Sequence, residues 1–501
     1  MSSSLSSLVL KSSGILFLLR FVQRGIGLIS TLIMARLLTP EDFGLIAIIA
    51  LIVHFCEILS TTGTEQYLVQ KTETEDDDLY SAWTLDIMLK SGLWILIILT
   101  APFIDKIYPD VSLTIPLIFA SSVLVINALK NPALALLKKA FTYRKIFYLS
   151  LVQKLVGFTF GITIVMIHKT YWAILVIDVV AALVMTIGSY VIHEFRPKVS
   201  FKKVKEQFAF SKWLLLKGGI GYIRAQIDVI FVTRLFSPDV VGSFHLARHI
   251  AVLPSSELIA PVAEPLLASF ARVKANLHDV GYQFNLSLLF VLSLVGPICC
   301  YFFFFAPSVI DVLLGSKLKS AHELLSAMSL TVLVFSIGPI LSACCVALGK
   351  VKQVFYYDMF SLVFAVLCLM MLVDYNIREF ILARGAVALI PLIALLMFMR
   401  TFIPLSLKLS LFNSIVIALC CAVATYVGLF IESLLPVDTN IVLVLLSLGS
   451  TFFLTYLITL LVLVLFLRGK TEIWAAYARI ITQNAYSYMP AGLKKYLPAN
   501  T

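Results

Sequence analysis

The chain has 501 residues, 60% of them hydrophobic and only 13% charged, with a mean hydropathy of +0.99. So much apolar sequence excludes an ordinary soluble globular protein, because about 20 apolar residues span a bilayer and this chain is mostly such runs. The formal charge of +11 is carried largely by loops between those runs, which makes it a membrane-orientation signal and not a nucleic-acid footprint.

The composition predicts an all-α integral membrane protein. No polar stretch much exceeds about 20 residues before the C-terminal tail, which leaves no room for a separate soluble catalytic domain. The N-terminal "MSSSLSSLVLKSSGILFLLRFVQRG" is not expected to be a cleaved signal, since Arg20 and Arg24 interrupt its apolar run and no A-x-A-like site follows. It reads as the first span.

Spans are expected at about 12–36, 43–62, 81–104, 111–129, 147–167 and 171–193, then 213–236, 241–267, 281–306, 322–348, 351–374 and 379–404. Two more are expected at about 411–432 and 440–467, giving about fourteen. The expected organisation is a six-helix lobe over 1–200, a second over 201–405, two additional helices over 406–467, and a cytoplasmic amphipathic tail over 468–501. The tail mixes basic and aromatic residues, as an interfacial segment does.

Loop charges set the orientation. Loops after odd spans are short and poor in positive charge, as in "LLTPED" and "FSPDVV", whereas "LKKAFTYRK" and "FRPKVSFKKVKEQFAFSK" are basic. Both termini are therefore expected in the cytoplasm. The acidic segment "QKTETEDDD" at 70–78 falls on the same side as the basic loops; carboxylates weigh little in orientation, so the assignment stands.

One phrase occurs twice. "ARLLTPEDFGL" from Ala35 returns as "TRLFSPDVVGS" from Thr233, with Arg36, Pro40 and Gly44 matched by Arg234, Pro238 and Gly242, and Thr39 by Ser237. Each copy follows the first helix of a six-helix set, so both hairpins point outward and the two lobes are parallel repeats. The phrase reads as structural. The arginine closes one helix, the hydroxyl caps the next, proline takes its first position, acidic residues follow, and glycine permits close packing. The second copy keeps all of this except that Asp42 becomes Val240.

These residues, with "GTEQYLVQK", "DDDLYSAW", "QIDVIFVTRLFSPDVVGSFHLA" and "VALGKVKQVF", resemble bacterial polysaccharide-export flippases of the multidrug/oligosaccharidyl-lipid/polysaccharide superfamily, the O-antigen and colanic acid type above all. The resemblance covers about the first 400 residues. It implies a two-lobed inner-membrane transporter that carries undecaprenyl-pyrophosphate-linked oligosaccharide repeat units to the periplasm by alternating access. It implies a cavity built from the first, second, seventh and eighth helices, and downstream polymerase and chain-length-control partners.

Independently of that resemblance, ionisable residues occur inside the apolar runs. Arg20 and Arg24 lie one turn apart on the first helix; Lys217, Arg224 and Asp228 lie on the seventh; Arg248, Glu257 and Glu264 on the eighth; His54 and Glu57 on the second. Five cations facing lipid would cost roughly 12–18 kcal/mol, so they are expected to face a hydrated cavity, where guanidinium groups suit a pyrophosphate. Arg24, Arg224, Arg248, Arg20 and Lys217 are thus the substrate-binding candidates. Interhelical and i,i+4 pairs such as Arg224–Asp228 and Asp86–Lys90 are the competing reading, and Arg20 and Lys217 are shallow enough to snorkel.

Glu57, Asp228, Glu257 and Glu264 are candidates for H⁺ or Na⁺ coupling, or else balance the arginines. "HLARH" at 245–249 has a zinc-helix spacing but lacks the glutamate of HExxH, so no metal site is expected. Pro254, Pro261 and Pro265 read as a hinge in the eighth helix. The eight cysteines lie in apolar segments without a CxxC pair and read as small buried residues. No other cofactor is expected. A drug/cation antiporter of the same superfamily and a membrane polysaccharide polymerase remain as alternatives. The first would carry a carboxylate-dominated cavity, and the second a large external catalytic loop.

Overall fold

The computed structural model describes residues 22–27, 29–60, 64–71, 73–108, 111–140, 142–259, 266, 269–315, 319–436 and 440–479. Among these residues all regular structure is helical. Among the described residues ten helices are long and apolar enough to cross a membrane, and Thr114–Ala128 is a shorter apolar one. Each expected span coincides at least in part with a described helix, the first and the eighth only in part because some of their residues lie outside those described.

The chain divides into two compact units, Met1–Leu246 and Ala247–Thr501. The first unit begins with α1 over 22–37, followed by α2 (Pro40–Leu59), α3 (Thr64–Gln70), α4 (Asp76–Ile107), α5 (Thr114–Ala128) and α6 (Leu134–Lys139). It continues with α7 (Tyr143–His168), α8 (Trp172–Ile192), α9 (Val204–Leu235) and the start of α10 (Pro238–Leu253). Helix α9 begins about nine residues before the expected span at 213, in a basic stretch whose charges, with Arg224 and Asp228 further on, keep it below the apolarity of its neighbours. Within this unit α7 packs along α8, α4 along α5, α5 against α8, and α2 against both α5 and α9. An apolar core of Ile49, Val53, Ile97, Leu117, Leu124 and Leu175 ties α2, α4, α5 and α8 together.

At one end of this unit the discordant acidic segment finds its role. Asp78, fully buried, accepts from Lys71 Nζ at 2.7 Å and from Lys203 Nζ at 3.1 Å. Lys203 also reaches Glu75 at 2.6 Å, Lys202 reaches Asp77 at 2.9 Å, and Tyr67 donates to Glu206 at 2.6 Å. Hydrogen bonds to Glu75, then to Asp78, hold the Lys203 ammonium above its ordinary pKa. The acidic 70–78 segment and the basic loop before α9 therefore share one face of the unit, and the negative charge of the first matches the positive charge of the second.

The second unit contains the rest of α10, a π-helical turn at Pro254–Ile259, α11 (Leu277–Phe304), α12 (Ala306–Leu313), α13 (Lys319–Ala347) and α14 (Val351–Met370). Helices α15 (Ile377–Met399), α16 (Leu407–Leu434) and α17 (Ile441–Leu467) complete it. Helix α13 packs on α15 and α11, and α16 on α17 and α11. A closing helical segment at 472–479 docks into this unit: Trp474 is fully buried with its Nε1 donating to Asn413 Oδ1 at 3.0 Å, and Tyr477 shares a hydrogen bond of 2.6 Å with Ser293. That part of the expected amphipathic tail is core, not interfacial surface.

Candidate functional site

The repeated phrase forms two helix–turn–helix corners, between α1 and α2 and between α9 and α10. Thr39 Oγ1 accepts from the Asp42 amide at 3.3 Å while Asp42 Oδ2 accepts from the Thr39 amide at 3.0 Å, a reciprocal capping box. Val240 cannot return that bond, and in the second copy the Ser237 hydroxyl donates to Asp239 instead. Burial repeats as well: Arg36 and Arg234 are exposed, while Gly44 and Gly242 are buried.

The two glycines face each other's corner. A Cβ on Gly44 would lie 2.0 Å from the Pro238 carbonyl oxygen, and one on Gly242 would lie 1.7 Å from the Pro40 carbonyl oxygen. Only glycine allows this backbone contact. Both hairpins thus sit at the same end of the first unit.

The candidate cations lie away from that contact. Helix α2 packs on α9 through Tyr222, whose hydroxyl donates to the Leu51 carbonyl at 2.9 Å and whose ring meets Phe55 at 5.8 Å. Gly218 and Gly219 let Ile58 and Leu59 approach the α9 backbone. Arg224 follows Tyr222 by two residues and is half-buried, as is Arg24 on α1; Asp228, one turn beyond Arg224, is 6% exposed. All three engage in polar interactions. In the second unit Arg248 on α10 and Glu257 in the π-helical turn are also engaged. That turn begins at Pro254, the first proline of the expected hinge. Arg20, Glu264, Pro261 and Pro265 lie outside the described residues, as does the side chain of Lys217.

Glu57 pairs with His54 at 3.5 Å on α2. Lys90 and Asp86 form the expected i,i+4 pair on α4, at 2.8 Å. Among the described residues no three His, Cys, Asp or Glu side chains converge as a metal site.

Sequence reasoning passed over several polar residues that the first unit gathers. A cavity of about 230 Å³ lies between α2, α5, α7 and α8, with His54, Glu57, Asn127, Gln153 and Asp178 in its wall. Lys154 extends toward α1, its Nζ 3.8 Å from where a Cβ on Gly27 would stand, one turn from Arg24. The signal was present in the sequence, since Lys154 and Asp178 are ionisable residues within apolar helices and each costs about 2.5–3.5 kcal/mol at mid-membrane unless accommodated. The second unit holds a comparable residue in Arg384, which is 6% exposed on α15 and lies 5.8 Å from the Phe335 ring.

A family model described as "Polysaccharide biosynthesis protein" matches residues 33–323, more than half of the chain. The chain belongs to this family. Within the polysaccharide biosynthesis family the match begins at the end of α1 and takes in both hairpins, α2 to α12 and the start of α13. The chain is 22% identical over 348 residues to the lipopolysaccharide biosynthesis protein WzxC of Escherichia coli (strain K12), covering 67% of this chain and 69% of that protein. It is 22% identical over 318 residues to the succinoglycan biosynthesis transport protein ExoT of Rhizobium meliloti (strain 1021), covering 61% of this chain and 63% of that one.

Among solved structures, the lipid II flippase MurJ superposes with a TM-score of 0.72 at 15% identity, covering 89% of this chain and 98% of the other. A multidrug resistance transporter of the MATE family, described as belonging to the MOP superfamily, superposes at 0.58 and 14% identity, covering 76% of this chain and 95% of that one. At such identities these likenesses establish the fold alone: this family member is a multi-pass helical membrane protein folded like those two transporters.

Proposed function

We propose that the protein is an inner-membrane flippase, a transporter and not an enzyme. It moves undecaprenyl-pyrophosphate-linked oligosaccharide repeat units from the cytoplasmic to the periplasmic face by alternating access, for O-antigen, capsule or exopolysaccharide assembly. The observation that carries this reading is the family match across 33–323. Relatives named for lipopolysaccharide biosynthesis and succinoglycan transport support it, as does one named for teichuronic acid biosynthesis in Bacillus subtilis (strain 168).

The site chemistry is consistent with that cargo. Arg24 and Arg224 lie at nearly equivalent places in the two repeats, and a guanidinium fork binds phosphate oxygens bidentately. In this reading Arg24, Arg224 and Arg248, with Arg20 and Lys217, hold the pyrophosphate. Glu57, Asp228, Glu257 and Glu264 balance those cations or carry the coupling ion. The hairpins of Pro40 and Pro238 face the periplasm, both termini face the cytoplasm, and a polymerase with its chain-length regulator receives the product.

Deleting the gene in a strain without other flippases tests this. Lipid-linked repeat units should accumulate on the cytoplasmic face while their synthesis continues. Normal delivery of those units to the periplasm would show the assignment to be wrong.

A further inference from the structure

We propose that the cavity between α2, α5, α7 and α8 is a proton-binding site, with Asp178 as the group that takes the proton. It deepens the transport reading by naming the coupling ion and its place.

The cavity holds about 230 Å³, room for several waters at about 30 Å³ each. Its wall is not uniformly apolar: amides from α5 and α7, Asn127 and Gln153, face it together with Asp178 of α8 and with His54 and Glu57 of α2. Asp178 lines the cavity, and its side chain is exposed and not packed away among apolar neighbours. Among the described residues its carboxylate makes no hydrogen bond and no ion pair. The same unit shows what a neutralised intramembrane carboxylate looks like, since Asp86 is held by Lys90 at 2.8 Å and by the Thr64 hydroxyl at 3.2 Å. Asp178 has nothing of the kind, so a purely structural role leaves its charge unexplained.

The charged groups acting on it come from two elements. His54 and Glu57 stand on α2, and Lys154 stands on α7. Two of these three can carry positive charge, which opposes a resident sodium ion, whereas a proton passes among titratable groups and water without needing a shell of oxygens. Lys154 gives the site a physical link to transport: its ammonium also packs beside Gly27 of α1, one turn from Arg24. A change in charge at Asp178 therefore reaches the first helix through one side chain.

The test uses the full-length protein reconstituted in liposomes on a solid-supported membrane, with pH jumps in sodium-free buffer and no lipid substrate. Wild type should give a transient charge displacement. Asp178→Asn should reduce it to the level of empty liposomes, and Asp178→Glu should keep it. Size-exclusion profiles identify any variant that fails to fold. Should Asp178→Asn be one of them, Glu57→Gln serves instead, moving the midpoint of the pH response by about one unit. Full amplitude in a folded Asp178→Asn, an unmoved midpoint in Glu57→Gln, or a response that follows sodium jumps at constant pH would overturn the proposal. Translocation of lipid-linked oligosaccharide is measured separately in the same liposomes. Its absence beside an intact, Asp178-dependent proton signal would remove the flippase reading and leave the proton site standing.

Discussion

At the scale of single residues, charge inside apolar sequence was the most legible feature of this chain. Arg24, Arg224 and Asp228 announce themselves because a span pays for each of them. If Arg24 and Arg224 hold pyrophosphate, replacing either with Ala should abolish surface glycan export while membrane abundance stays near wild type. Lys should restore part of it, because it returns the charge without the fork. A structural Arg224 instead predicts reduced abundance in Arg224→Ala and recovery when Asp228→Ala is added, since removing one member of a buried pair is worse than removing both. Abundance and glycan measured together separate the two. Asp178 and Lys154 were not singled out, because each is isolated in its own helix and only the packing of α2, α5, α7 and α8 gives them neighbours. Asp78 was read as part of an acidic run at the cytoplasmic side; its burial between Lys71 and Lys203 is a tertiary fact. Asp78→Ala should lower stability by about 1.5–3 kcal/mol, the range for hydrogen bonds to charged groups, measured as a lower Tm in detergent.

At the scale of elements, the doubled phrase could be read nearly to atomic detail, because capping is local chemistry. Thr39, Pro40 and Asp42 act within one turn, and the loss of Asp42 in the second copy foretells the missing capping box at Ser237. The contact between the two hairpins could not be read in this way, since it joins residues about 200 positions apart: Gly44 lies against Pro238, and Gly242 against Pro40. Ala at either glycine would place a methyl group on a carbonyl oxygen. Gly242→Ala should therefore destabilise by about 1–3 kcal/mol as an overpacking substitution, with Gly44→Ala similar and the pair less than additive, because both push on one contact. Thermal unfolding of the three variants measures this. Helix limits were the weakest part of the sequence reading: α9 starts at Val204 and α4 at Asp76, earlier than hydropathy alone places them, because their polar first turns reach out of the apolar zone to join the ion-pair cluster.

At the scale of the whole molecule, a helical membrane protein follows from hydropathy, and the parallel repeat is the proposal that the spacing of the doubled phrase supports. Ten described helices meet the length and apolarity of a span; the expected fourteen also include the partly described α1, α9, whose charges lower its hydropathy, and the short α5 and α10. Orientation is tested by single cysteines in a cysteine-free background. Asp42 and Asp239 should label from the outer side and Lys203 from the inner side; labelling of the first two from opposite sides would break the parallel-repeat account. The central claim is that this chain carries a lipid-linked oligosaccharide across the membrane on its arginines. The most direct measurement is translocation of purified undecaprenyl-pyrophosphate-linked oligosaccharide in liposomes containing only this protein, read by access of an external glycosidase. The account predicts protection lost with time for wild type and retained for Arg24→Ala and Arg224→Ala. Equal translocation by wild type, both variants and protein-free liposomes would contradict it.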